Sequence, residues 1–239
     1  MALTAKSVIE RAATIIQDQT NVRWPQAELL NYYNDARREV AIVRPDLYAT
    51  TQVMPLVAGT KQSLPDGTVP AGLPAGSRFL DAIRNVTSAG AIGKAVRVVE
   101  REVLDAQKPD WHTEEESTDL KHFMFDERTP RVFYVYPPAV AGHKLEIAYA
   151  QTPTDTTLAN IASDTLEHED LYAGAIVDYI CYRAFSKDAE YAGNAQRAAS
   201  HYQQFMNSLG IGGKTSMVVS PNTANVGGMP PRTAVAAGG

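Results

Sequence analysis

One polar stretch of the sequence holds most of the side chains that could perform chemistry. Its histidines and carboxylates are competent ligands for a divalent metal ion, which could activate water for hydrolysis. The candidates are His112, Glu114, Glu115, Glu116, Asp119 and His122. Because the two histidines lack the i, i+4 spacing of a helical zinc motif, the stretch is more typical of a solvated acidic loop. A metal-dependent hydrolase that uses residues 112–122 stays open as an alternative function.

A second candidate is a glycine-rich run that ends in Lys214 and Thr215. Glycines followed by lysine and threonine are typical of loops that bind nucleotide phosphates. Here Ser208 occupies the position of the first glycine of that motif, and the run follows a predicted helix instead of linking a strand to a helix. We therefore predict no nucleotide site and no cofactor.

Nucleophilic catalysis has no candidate in this sequence. Cys181 is the only cysteine and lies in an apolar helical run, where a structural thiol is expected, and no Gly-x-Ser-x-Gly motif occurs. We predict that the protein is not an enzyme.

The net charge of −5 argues against a dedicated nucleic-acid binder, which needs lysine and arginine to neutralise phosphates. The basic residues that could touch DNA stand near acidic ones, so we expect at most a transient, non-specific contact. They are Arg37, Arg38, Arg44, Arg97 and Arg101.

Two N-terminal helices are the first elements that could position a functional surface. The first is predicted over residues 4–18, with Thr4 as its N-cap. The second begins at Trp24-Pro25 and ends before Pro45, which cannot continue a helix. Apolar side chains recur along it at spacings of three and four, so they form a stripe that must be buried. They are Leu29, Tyr33, Ala36, Val40 and Val43.

A β-rich region follows, because β-branched runs alternate with glycine and proline clusters between about Tyr48 and Thr165. An antiparallel sheet is the predicted arrangement. Strands are expected over 51–57, 61–64, 79–86 and 96–99. The clearest pair is Arg131–Tyr136 and Lys144–Tyr149, which the turn-forming residues between them join into a predicted hairpin.

Two more helices are predicted near the C-terminus, over 171–185 and 189–209. The first is apolar almost all round, which indicates burial on most sides. The second has an apolar stripe at spacings of three and four, and Gly210 is expected to end it. The stripe consists of Ala192, Ala195, Ala199, Tyr202, Met206 and Leu209. All four helices are predicted to form one antiparallel bundle.

The last 30 residues carry seven Gly, three Pro and no Asp or Glu. Lys214 and Arg232 give this tail a charge of +2, so the rest of the chain carries −7. Such a segment cannot bury enough apolar surface to order alone, although it is suited to ordering against a partner. The predicted fold class is α+β, with a helical bundle domain over 1–47 and 165–209, a β-rich insertion domain over 48–164, and a flexible Gly/Pro-rich tail over 210–239.

Three runs of the sequence resemble the phage head-to-tail adaptor proteins of podoviruses and related tailed phages. They are Arg23–Tyr48 (RWPQAELLNYYNDARREVAIVRPDLY), Ala58–Pro65 (AGTKQSLP) and Tyr182–Phe205 (YRAFSKDAEYAGNAQRAASHYQQF). The likeness covers roughly residues 1–209, and a more distant one extends to the tail tubular A proteins of short-tailed phages. None of these runs encodes a reaction.

The resemblance implies a structural virion protein of the neck. Its subunits would form a ring, typically a dodecamer, that docks under the portal, holds the tail or nozzle protein and leaves a lumen for DNA ejection. It implies contacts with copies of itself and with the portal protein, assembly in the host bacterial cytoplasm, and no membrane. Another neck component, such as a head-tail stopper or a tail-completion protein, is the alternative within this class.

Apolar residues of the helices and of the tail are the predicted subunit or portal interface. The bundle offers more apolar helix face than one small domain hides, and the tail is suited to ordering on a partner. The candidates are Leu29, Tyr33, Val40, Tyr202, Met206, Leu209, Ile211, Met217, Val218, Val219 and Met229.

Overall fold

Five α-helices and two β-sheets form the part of the chain that the computed structural model describes, residues 3–166, 170–188, 190–191 and 193–219, with 211–219 described by backbone alone. The helices are α1 (Ala5–Ile15), α2 (Gln26–Val43), α3 (Arg101–Gln107), α4 (Ala173–Lys187) and α5 (Asn194–Val219). The mixed α+β class is therefore confirmed. None of these described helices is both long and apolar enough to cross a membrane.

α1 begins directly after its predicted cap, and α2 begins at Gln26, one residue after Pro25, the residue predicted to be its first. The Thr4 hydroxyl caps α1 by accepting a hydrogen bond from the backbone N–H of Ser7 at 3.2 Å. α1 ends three residues before its predicted end, and the Asp18 carboxylate then accepts hydrogen bonds from the backbone N–H groups of residues 22–24. These bonds, above all the one from Trp24, lower the pKa of Asp18 and fix the turn that leads into α2.

Four of the helices, α1, α2, α4 and α5, share one hydrophobic cluster, in which α4 takes the central place. α4 packs against α1, α2 and α5, and its residues Ile176, Ile180 and Ala184 are fully buried. The predicted stripe of α2 lies in the same cluster. This position explains why α4 is apolar almost all round, because other helices cover several of its sides.

Eight strands form two four-stranded sheets within the described residues. They are β1 (Ala49–Pro55), β2 (Gly59–Ser63), β3 (Gly76–Val86), β4 (Ile92–Ala95), β5 (Arg97–Val98), β6 (His122–Phe125), β7 (Val132–Ala139) and β8 (Lys144–Gln151). One sheet has the order β1-β8-β3-β4 and the other has the order β2-β7-β6-β5. The predicted runs do form strands, but they form two sheets instead of one, and β5 pairs with β6 in parallel.

The predicted hairpin between Arg131–Tyr136 and Lys144–Tyr149 is wrong. β7 pairs with β2 and β6 in one sheet, whereas β8 pairs with β1 and β3 in the other. Phe133 of β7 and Ile147 of β8 are fully buried in the same hydrophobic cluster. Strands that each carry an apolar face bury that face best when they oppose each other across a core, as the two sheets of a sandwich do.

A polar network ties the two sheets together beside this core. Asn85 of β3 donates through Nδ2 to the carbonyl oxygens of Lys94 and Leu120, and its Oδ1 accepts from the backbone N–H of Leu120, which precedes β6. His143 Nε2 lies 2.9 Å from the same Oδ1. Because that oxygen accepts, Nε2 carries the proton. The imidazole is buried, and burial lowers the pKa of His143.

The helix α5 differs from its prediction in length and in the face that it buries. It does not end at Gly210 but continues to Val219, and no proline occurs before Pro221 to stop it. Its fully or largely buried side chains are Ala198, Phe205 and Leu209. Of the described residues of the predicted stripe, Leu209 belongs to this set, and residues 195, 199, 202 and 206 are exposed; Ala192 lies outside the described residues.

The segment between β8 and α4 joins the sheets to the helices. Its Thr156 exchanges two hydrogen bonds with Asn34 of α2, both at 3.0 Å. Arg38 of α2 forms a bidentate ion pair with Asp155 of the same segment. The first turn of α1, whose N–H groups lack partners within the helix, donates two backbone hydrogen bonds to it. These contacts fix the helices against the sheets.

Candidate assembly surface

Four of the predicted interface residues are buried in the chain's own helical cluster, so their burial requires no second subunit. They are Leu29, Tyr33, Val40 and Leu209. Two others, Tyr202 and Met206, lie on α5 with 43% and 37% of their surface exposed. The remaining candidates lie where no side chain is described: Ile211, Met217, Val218 and Val219 on the C-terminal part of α5, and Met229 outside the described residues.

An exposed apolar stripe runs along the outer side of α5. Ala195, Ala199, Tyr202 and Met206 follow one another at spacings of four, three and four, which places them on one side of the helix. Residues 194–210 contain one arginine and no aspartate or glutamate, so the helix surface around the stripe is nearly uncharged. Charged residues are depleted in the cores of protein interfaces in the same way. We refer to these four residues as the α5 stripe.

The inner side of α5 holds the stripe in a fixed orientation. Phe205 is fully buried, and its ring lies 5.1 Å from that of Tyr179 on α4. One turn earlier, His201 Nδ1 lies 2.8 Å from Asp178 Oδ1, and the imidazole stacks on the Phe185 ring at 5.7 Å. Because these contacts follow one another along α4, they set the rotation of α5 about its axis. The stripe therefore stands on a rigid support.

A second apolar surface lies where α2 meets the sheets. Ile42 of α2 is 73% exposed and lines a groove of 520 Å³. Its other apolar lining residues are Ala41, Pro45, Pro130 and Pro153. Two arginines at its edge are both held in ion pairs, so the groove is apolar in character. It belongs to a different part of the chain from the α5 stripe, and the two surfaces are unlike each other.

The residues of the 112–122 stretch do not converge on one point. His112 Nδ1 lies 2.8 Å from a threonine hydroxyl of β2. Glu114 pairs with Lys108 at 2.7 Å, which lowers the pKa of that carboxyl, and Asp119 pairs with Lys94 at 2.6 Å. Glu115 and Glu116 are exposed, and His122 stacks on a tyrosine ring of β7. Over the described ranges, no three His, Cys, Asp or Glu side chains are placed to hold a metal ion.

The other residues that the sequence offered for chemistry are buried, lie within a helix or form ion pairs. Cys181 is fully buried in α4, and burial raises the pKa of its thiol to about 12, far from that of a reactive thiolate. The glycine-rich run before Lys214 lies within α5, so its backbone does not form the loop that cradles a phosphate. Four of the five arginines considered for DNA contact form ion pairs with aspartates. They are Arg37, Arg38, Arg44 and Arg101.

Sequence periodicity missed the true inner face of α5 because two adjacent stripes share the helical spacing. Residues 195, 199, 202 and 206 satisfy it, and so do 198, 205 and 209. The residue that distinguishes them is Phe205, since phenylalanine has no polar group and is buried more often than tyrosine. The Asn85–His143 network had no sequence signal, because its members lie 58 positions apart in loops and strands of ordinary composition.

Comparison with known proteins identifies the family of this chain. A family model described as SU10 adaptor protein matches residues 3–225. A search of curated proteins finds no match to the chain. The family match spans the helices, both sheets and the segment that joins them. The protein therefore belongs to the SU10 adaptor protein family, a family of phage head-to-tail adaptors.

Proposed function

We propose that the protein is a head-to-tail adaptor, or connector, subunit that forms a ring between portal and tail in the neck of the virion. The family supports a structural adaptor role in the phage. The observation that carries the ring is the α5 stripe, an apolar and nearly uncharged helix side that the described part of the chain covers only in part. Unlike surfaces that meet head to tail close into a ring when the rotation per subunit divides the circle. The α5 stripe and the groove beside Ile42 are two such surfaces.

Within this ring, the helices act as one antiparallel bundle domain over residues 1–47 and 165–209, and its flanks meet the neighbouring copies. The β-rich insertion over 48–164 faces the tail or nozzle protein, and the tail over 210–239 reaches a partner. The antiparallel packing of α5 on α4 supports the bundle. A dodecamer is the copy number that the resemblance to podovirus adaptors implies.

The same ring would line the path of the genome during ejection. Outside the last 30 residues the chain carries −7, and an acidic wall repels the phosphate backbone. DNA would then pass with transient, non-specific contact instead of being gripped. This role needs no catalysis, and we expect none.

Mixing the protein with the portal protein of the same phage tests this function, with negative-stain images as the readout. Met206→Glu places a charge in the α5 stripe, and Gln203→Glu places the same charge on the polar side of the same helix. We expect rings on the portal for the unmodified protein and for Gln203→Glu, and loss of rings for Met206→Glu. Intact rings with Met206→Glu would contradict the assigned surface. A single copy on each portal would contradict the ring and favour a stopper or tail-completion protein.

A further inference from the structure

The edge strand β1 differs from the other three edge strands of the described sheets. β4 and β5 have only four and two residues, and β2 has a register shift between Gly59 and Lys61. All three contain a lysine or an arginine. In contrast, β1 has seven residues, pairs with β8 without a shift and contains no charged residue. Shortness, bulges and charges are the means by which proteins protect sheet edges from further pairing. β1 has none of these three protections, and the edge proline Pro55 limits pairing only at the last residue of the strand.

The backbone of β1 is oriented to receive another strand. Leu56, directly after β1, makes both of its backbone hydrogen bonds with the turn that precedes β8, each at 2.8 Å. Because main-chain groups alternate in direction along an antiparallel strand, Thr51 and Val53 direct their N–H and C=O groups away from β8. Pro55 has the same orientation, so its missing N–H removes nothing from the β1–β8 ladder. With respect to the described residues, the outer side of β1 therefore presents unpaired donors and acceptors at two successive outward positions.

The chain itself contains a segment whose sequence suits this edge. Residues 232–237 (RTAVAA) form a run without glycine or proline, bounded by Pro231 and Gly238. In this run Thr233 and Val235 alternate with alanines, and β-branched residues in alternation between turn residues are typical of a strand. The segment after Val219 has no acidic residue, whereas the body that carries β1 is acidic. Arg232 is the single charged residue of that segment and β1 carries none, so no like charges oppose the pairing of the two.

The course of α5 carries the chain beyond the helical cluster. Because Phe205 faces Tyr179 and Tyr202 faces Tyr182, α5 runs antiparallel to α4, and Leu209 lies near the start of α4. The last ten residues of α5 extend about 15 Å past that point. Twelve further residues precede the run 232–237 and span at most about 40 Å when extended. This length is enough to cross to an adjacent subunit.

We propose that residues 232–237 of one copy add to β1 of a neighbouring copy as a fifth strand of its sheet. The proposal rests on the proposed ring, because the donor is a neighbour. Backbone hydrogen bonds supply the attachment, as in other cases of strand addition to a sheet edge. This contact is separate from the α5 stripe and would link subunits that the stripe has already brought together.

Cross-linking between two variants, each with one introduced cysteine, tests the proposal in the full chain. Val53→Cys and Val235→Cys preparations are mixed, assembled on portal and treated with a short thiol cross-linker. Cys181 does not compete, because it is fully buried. Val69→Cys, a more exposed valine of the loop between β2 and β3, replaces Val53→Cys as the matched control. We expect a cross-linked pair of chains, identified by its 53–235 peptide, and no such pair with the control.

Two proline variants and a proline control distinguish strand pairing from mere proximity. Thr51→Pro removes an outward N–H from β1 and leaves the β8 ladder intact, so it should abolish the cross-link without changing the melting temperature of the subunit. In the donor, Thr233→Pro should abolish the cross-link, and Asn225→Pro, outside the run, should keep it. A cross-link that survives Thr51→Pro would overturn the pairing.

The outcomes also separate this inference from the proposed function. Rings on portal without any 53–235 cross-link would overturn the strand addition and leave the ring standing. A double variant with both cysteines that links only within one chain would show that the segment covers its own β1, which also overturns the proposal. Absence of any self-association on portal would instead be a failure of the proposed function.

Discussion

The apolar stripes of α2 and α5 have the same spacing but differ in burial. On α2, residues Leu29, Tyr33 and Val40 are buried in the helical cluster, with 1% or less of their surface exposed. On α5, the stripe predicted in the same way is largely exposed, and the neighbouring side that contains Phe205 is buried instead. α2 packs among other elements of the chain, whereas α5 lies at the border of the cluster and packs mainly on α4.

Helical periodicity alone does not identify what covers the apolar side of a helix. A stripe of apolar residues indicates that a helix side is to be covered, but the pattern is the same whether the cover is the same chain or another one. In a protein that works by assembly, both kinds of stripe are expected. Only the packing of the folded chain separates a stripe that the chain itself buries from one that it leaves exposed.

Phe205→Ala should have the largest effect on stability of the variants considered. Phe205 is fully buried between α5 and α4, so truncation leaves a cavity and we expect a loss of about 4 kcal/mol in the free energy of unfolding. Urea unfolding of the isolated subunit measures this. A loss below about 1 kcal/mol would mean that this side of α5 is not the inner one.

Leu29→Ala tests the stripe of α2 and should cost about 3 kcal/mol, because the side chain is fully buried but smaller than phenylalanine. The same urea titration applies. A variant that kept full stability but failed to assemble would place Leu29 at a subunit contact, as the sequence first suggested, and would remove the contrast between the two stripes.

The pH dependence of stability should come in part from the β-rich region. Burial lowers the pKa of His143, with a weaker opposing effect of Asp119, so near pH 6 the unfolded chain binds a proton that the folded chain does not. Stability should therefore be constant above the unfolded value of about 6.5 and fall as the pH decreases through it towards the lower folded pKa. In His143→Gln this part of the slope should vanish, whereas the exposed His112→Gln serves as the control. An unchanged slope in His143→Gln would contradict the assignment.

Met206→Ala should have the smallest effect on the subunit, within about 0.5 kcal/mol, because an exposed side chain contributes little to folding. Its effect should be on assembly, where ring formation on portal should require a higher protein concentration. Residues 205 and 206 are adjacent in sequence, so the two variants compare the effect on the free energy of unfolding of a substitution on the inner side of α5 and of one on its outer side. Equal destabilisation by Phe205→Ala and Met206→Ala would refute the two-sided description of α5.

Local signals predicted much of the fold. Thr4 as a cap, Pro45 as a stop and the β-branched runs of residues 48–151 all act through neighbours in sequence, and the structure confirms each of them. The hairpin of β7 and β8 was wrong because the choice between pairing side by side and opposing across a core depends on long-range burial. Gly210 was wrong as a helix end because glycine permits a C-cap but does not impose one.

The candidate site was predicted in part. Tyr202 and Met206 were named from the sequence and are exposed, while four other named residues are buried in the chain's own core. Their periodicity could not separate the two groups. The open edge of β1 had no signal at all, because an edge exists only once the order of the strands is known.

The rate of methionine oxidation by a mild oxidant, followed by mass spectrometry, tests most directly whether assembly covers the outer side of α5. Met206 is exposed in the subunit, whereas Met124 is 2% exposed and serves as an internal reference. The account predicts rapid oxidation of Met206 in the free protein, strong protection of Met206 on portal, and slow oxidation of Met124 in both. Equal oxidation of Met206 in the free and portal-bound protein would contradict it.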